Sequence, residues 1–94
     1  MTINELLIEA KKGLNIPVES TNFDGVLTQK IKAVIGYVGN AGVSDAQLES
    51  DAGTGLVVLG VADLWNLQSG EAKFSPAFNL MLTQLSCASL EEAV

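Results

Sequence analysis

Asp45, Glu49 and Asp51 are the densest group of chemically capable side chains in the sequence, three carboxylates around a serine-containing junction. As a cation site they fall short. A calcium loop uses alternating oxygen ligands, a central Gly and a closing Glu, and this spacing does not match it. Carboxylates also gather at helix N-termini for the sake of the dipole, and that is the reading adopted for these three. Asp63 is the one acid inside a strongly apolar stretch; it is expected at an exposed or interface edge rather than in a reaction. Cys87 is the single cysteine, so no internal disulfide forms, which fits a reducing cytosol. Histidine is absent, which removes the usual general base and the commonest metal ligand. Neither Gly36, Gly39 and Gly42 nor Gly53 and Gly55 lead into the Lys-Ser/Thr pair of a phosphate loop. No catalytic, cofactor-binding or metal-binding residue is therefore expected, no cofactor is called for, and the chain is not read as an enzyme.

The elements that carry these residues are set by apolar spacing. Thr2 and Glu5 have the capping-box interval, which starts a first helix there. Ile3, Leu6, Leu7, Ala10 and Leu14 form its stripe, with Ile8 off the stripe and facing a neighbour. Lys11 and Lys12 suit the dipole of its last turn, and Gly13 and Pro17 close it. A turn-rich loop leads to a second helix capped by Asn22 or Asp24. Phe23 or Val26, then Leu27, Ile31, Val34, Ile35 and Val38, line its core face, with Tyr37 at the edge. Gly36 within it is expected to mark a close helix contact, and Gly39, Asn40 and Gly42 to supply a left-handed exit. Ser44 caps a short turn over Asp45–Glu49, and Ser50 or Asp51 caps the long central helix.

The stretch Thr54–Gln68, TGLVVLGVADLWNLQ, is the centre of the chain. A helix apolar on nearly every side is covered on nearly every side. Periodicity alone also admits a buried strand through Leu56–Leu59, but the length of the run favours a helix. Its expected core residues are Leu56, Leu59, Leu64 and Trp65, and Gly60, Asp63 and Asn66 make one small, polar stripe. Gly53 and Gly55 loosen its first turn, and Ser69-Gly70 end it. Ser75-Pro76 restarts the chain as a last helix, with Phe78, Met81, Leu82 and Leu85 along its stripe and Leu80 pointing elsewhere. Residues 1–88 read as one all-α domain of four main helices and a short turn, and Ser89–Val94 as a loose polar tail.

Composition limits function. Of 94 residues 48% are hydrophobic and 17% charged, more apolar surface than so short a chain hides easily, which assigns part of it to a subunit interface. The net charge is −6, with five lysines and no arginine. Specific nucleic-acid binding is disfavoured on that account. Nothing resembles a signal peptide, and the 56–67 run is too short and too interrupted by Asp63 to cross a bilayer.

The order of parts, carried by LLIEAKKGLNIP at 6–17, LTQKIKAVIGYV at 27–38, GLVVLGVADLWN at 55–66 and FSPAFNLMLTQL at 74–85, resembles the small head–tail connector (adaptor) proteins of tailed bacteriophages, the HK97-type connector family. The resemblance implies a structural protein of the virion neck, made in the bacterial host cytoplasm. It implies a homo-oligomeric ring, dodecameric in the virion, beneath the portal protein. Such a ring extends the DNA channel and docks the next neck or tail-completion component. DNA then passes without specific binding, and no membrane is involved. Candidate interface residues are Ile8, Phe78, Leu80 and Leu85, with the segment from Phe78 onward as the meeting surface. The alternative is a small acidic helical carrier or a regulatory protein-binding module. A carrier of the acyl type needs an Asp-Ser-Leu attachment serine, whereas Ser44-Asp45 and Ser50-Asp51 have the reverse order. A DNA-binding regulator needs a basic recognition helix, and none is present.

Overall fold

The computed structural model describes residues 2–65 and 74–92, and all regular structure among them is helical. The helices are α1 (Ile3–Gly13), α2 (Asp24–Asn40), the single turn α3 (Asp45–Leu48), α4 (Asp51–Trp65) and α5 (Pro76–Glu92). The strand alternative for Leu56–Leu59 is thereby removed. Asn66 and the expected stop at Ser69-Gly70 lie outside the described residues.

α4 is the hub, touching each of the other four helices. Leu56, Val57 and Val61 on it are buried against Leu27, Ile31, Val34 and Val38 of α2, Leu6 and Ala10 of α1, and Phe78, Leu82 and Leu85 of α5. Leu59, Leu64 and Trp65 are only half-buried, packed on the rim of that cluster. Of the four expected central residues, Leu56 alone is fully enclosed. The reason is position: Leu64 and Trp65 belong to the last turn of α4, where Trp65 meets the exposed ring of Phe23 edge-on at 5.3 Å.

The helix ends are chemically explicit. Thr2 and Glu5 form the reciprocal capping box, Glu5 N–H donating to Thr2 Oγ1 and Thr2 N–H donating to the Glu5 carboxylate. α1 ends in a Schellman turn in which Asn15, at φ 59°, takes the left-handed position and Ile16 N–H reaches back to Lys11 O. α2 ends the same way: Gly42 has φ 101°, Val43 N–H donates to Val38 O at 3.1 Å, and Gly42 N–H donates to Gly39 O. Neither Asn22 nor Asp24 caps α2. Phe23 occupies that position without a side-chain hydrogen bond, and Asp24 is the first helical residue, committed elsewhere. Ser44, Ser50 and Ser75 each accept a backbone N–H three residues on, so all three serine caps are present.

Three expectations about packing are corrected. The close helix contact falls at Gly60, not Gly36. A Cβ on Gly60 would lie 2.6 Å from Phe78 Cε2 and 2.9 Å from Val34 Cγ1, whereas one on Gly36 would meet nothing within 4 Å. Gly53 does not loosen α4: the Gln47 and Leu48 carbonyl oxygens stand where its Cβ would be, so the α3–α4 corner requires glycine. The polar tail does not begin at Ser89. α5 continues to Glu92, and Ser89 is buried, its hydroxyl accepting from Ser44 N–H at 2.8 Å and donating to Leu85 O. Satisfying the backbone donor at the start of α3 ties the helix down past its expected boundary.

Candidate interaction surface

The three acids that cluster in the sequence do not line one cleft. Asp45 and Glu49 border a cleft with Leu6, Ile35 and Leu48, whereas Asp51 faces a different one beside Glu9, Lys12 and Thr54. Among the described residues no group of three or more His, Cys, Asp or Glu is placed to hold a metal. Asp63 is half-buried and accepts the Ser75 N–H at 2.9 Å, tying the end of α4 to the start of α5. Its place in an apolar helix is explained by that one bond.

The most constrained polar group is one that spacing alone assigns to the dipole of α1. Lys11 is 3% exposed, and its ammonium reaches three acceptors: Val18 O at 3.1 Å, Ser20 O at 2.7 Å and Asp24 Oδ1 at 2.6 Å. That carboxylate oxygen is shielded from water, and no other donor reaches it among the described residues. The ammonium donates to the Val18 and Ser20 carbonyls and has Asp24 as its ion-pair partner. Lys11 thus fastens the loop between α1 and α2 to both helices. A signal existed in the sequence, since Lys11 stands at i+4 from Leu7, on the edge of the apolar stripe.

What remains is surface. Ile8 and Leu80 are exposed, as expected of interface residues, at 39% and 62%. Phe78 and Leu85 are not available: Phe78 is fully enclosed, stacked on Phe74 at 4.1 Å and wedged against the Gly60 backbone, and Leu85 is 7% exposed. They fall on the inner face of α5, the face that covers α4. The outer face of α5 instead carries Leu80, Thr83, Cys87 and Leu90, all exposed, at i, i+3, i+7 and i+10. Leu90, 68% exposed, goes unnoticed in the sequence because it sits in the stretch read as tail.

A second, largely exposed stripe runs along one flank of α2: Phe23, Val26, Lys30, Ala33 and Tyr37, at i, i+3, i+7, i+10 and i+14. Phe23, Val26 and Tyr37 are each more than 40% exposed, so Phe23 and Val26 belong to the outside of α2 and not to its core face. Tyr37 leans on Phe74 and Phe78, with ring centroids 4.9 and 6.2 Å away. The two stripes differ in charge. α2 offers Lys30 and Lys32, and its one acid, Asp24, is taken by Lys11. α5 has no base, and its only charged residues are Glu91 and Glu92 at the C-terminal end. No helix among the described residues is long and apolar enough to cross a membrane. Comparison with family models, with curated proteins and with solved structures yields no match.

Proposed function

We propose that the chain is a structural head–tail connector of a tailed bacteriophage, forming a ring beneath the portal that extends the DNA channel and docks the next neck or tail component. The observation that carries this reading is a helical bundle that buries a continuous core yet leaves Ile8, Phe23, Val26, Tyr37, Leu80 and Leu90 each more than a third exposed. Leaving side chains of this size exposed along whole helix faces is the mark of an interaction surface. In a ring each subunit meets its neighbours through two different surfaces, repeated until the circle closes. The connector resemblance of the four sequence segments supplies the biological setting.

The electrostatics support a conduit. A chain of net charge −6 without arginine repels the phosphate backbone and has little with which to grip it. On this reading the protein runs no reaction, and its partners are its own copies, the portal and the next neck protein. The test is mass in solution by light scattering, alone and with a purified portal assembly, followed by electron microscopy of the mixture. A ring of copies stacked on the portal is the expected result. A chain that stays free in the presence of portal overturns the proposal.

A further inference from the structure

We infer that residues 17–26 form a strap that opens as one unit and is closed at two points, by Lys11 of α1 and by Trp65 at the end of α4. Nothing in this depends on what the protein assembles with. The strap has little apolar anchorage of its own. Pro17, Val18, Glu19, Thr21 and Asn22 are exposed, and Ser20 is half-buried. Its backbone hydrogen bonds stay local: Ile16 N–H donates to Lys11 O, Ser20 N–H to Pro17 O and Asp24 N–H to Thr21 O. A segment with few buried apolar contacts lies at the low end of local stability. What docks it on α1 is the Lys11 ammonium, held to the Val18 and Ser20 carbonyls and the Asp24 carboxylate.

The first turn of α2 moves with the strap rather than with the core. Phe23 gives it no side-chain cap, Gly25 lowers its helix propensity with open space alongside, and Val26 is 47% exposed. Leu27, fully buried, is the first firm anchor and marks one hinge. Asn15, left-handed at φ 59°, and half-buried Ile16 mark the other. Phe23 and Asp24 are consecutive, yet their side chains go to different helices. Asp24 takes Lys11 on α1 at 2.6 Å, and Phe23 meets the Trp65 ring edge-on with centroids 5.3 Å apart. One short, uncapped turn thus carries both contacts, and lifting it breaks both. Contacts that close the same unit are linked, so weakening either one promotes release of the other.

Native-state hydrogen exchange by NMR tests the link from both sides. The Lys11 ammonium protons report the α1 contact, because they are shielded and hydrogen-bonded while the strap is closed. Phe23→Ala removes the contact with α4 and leaves Lys11 and Asp24 in place; Phe23 is 43% exposed, so the core is spared. Exchange of the Lys11 ammonium protons should then quicken several-fold, and Trp65→Leu should do the same. From the other side, Lys11→Met should speed exchange at the Ser20 amide, in the loop, and at the Leu27 amide, which donates to Phe23 O, by one common factor. If the ring contact broke only when the whole molecule unfolds, Phe23→Ala would speed exchange at the buried Val57 amide and leave that of Lys11 as it was. That result overturns the inference. So do an unchanged Lys11 rate with Val57 also unchanged, and unequal factors at Ser20 and Leu27.

Discussion

One side chain, Lys11, joins three separate parts of the chain, and its value is best judged by deletion. Lys11→Met keeps most of the buried stem but removes the ammonium, stranding the Val18 and Ser20 carbonyls and the Asp24 carboxylate. Breaking a fully buried ion pair costs about 3–5 kcal/mol. The Asp24 side chain is about a third exposed, so water takes up part of the loss. A cost of about 2–3 kcal/mol is expected, read as a lowered urea midpoint. An unchanged midpoint would show that the loop is held without it. Glu5 offers a smaller test by pH. The Thr2 backbone N–H, then the Thr2 hydroxyl, hold its carboxyl below the usual glutamate value of 4.5. A lowered pKa stabilises the folded form above the unfolded value and loses that stabilisation as pH falls through the folded one. The first turn of α1 is therefore expected to fray below about pH 4.5. Proton resonances of Glu5 should titrate at lower pH than those of a free glutamate, and Thr2→Ala, which loses the hydroxyl but keeps the backbone N–H, should narrow the difference without removing it.

The elements were largely legible because helix starts are written in local chemistry. The capping box at Thr2 and the caps at Ser44, Ser50 and Ser75 need only near neighbours in the sequence, and all four are found. The interior glycines were not legible, because what a missing Cβ permits depends on a distant partner. Gly36 and Gly60 both sit inside helices, yet only Gly60 has Phe78 and Val34 against it. Their alanine variants should therefore move in opposite directions. Gly60→Ala overpacks the junction of α2, α4 and α5 and is expected to cost about 1–3 kcal/mol. Gly36→Ala points into open space and should gain roughly 0.5–1 kcal/mol from helix propensity. Equal effects on the melting temperature would mean that the crossing at Gly60 has room to yield. The inner and outer faces of α5 were confused for the same reason. Periodicity shows that residues share a face, but only the position of α4 shows which face is inside. Hence Phe78 and Leu85 are core, Leu80 and Leu90 are surface, and the helix outruns its expected end through the Ser89–Ser44 hydrogen bond.

At the scale of the whole molecule, the apolar residues fill one core and also leave two exposed stripes, on α2 and α5. No local pattern in the sequence separates those cases, since a buried and an exposed stripe have the same period. The acidic balance carries its own prediction. Binding to duplex DNA at physiological salt should be undetectable by mobility shift, for want of a basic patch to displace counterions. Micromolar binding that weakens steeply with added salt would be incompatible with a channel through which DNA slides.

The enclosure of Lys11 has a consequence for amine chemistry. Lys12 and Lys32 are exposed, so an acylating reagent should modify them well before Lys11. Lys11 should react only when the loop over Val18 and Ser20 lifts away, since its nitrogen is surrounded by acceptors. Its labelling rate, followed by peptide mass spectrometry, becomes a clock for that opening. The clock runs in any mixture, with or without neighbouring copies. It would show whether joining an assembly slows the breathing of this loop, whose end at Asp24 adjoins the exposed Phe23.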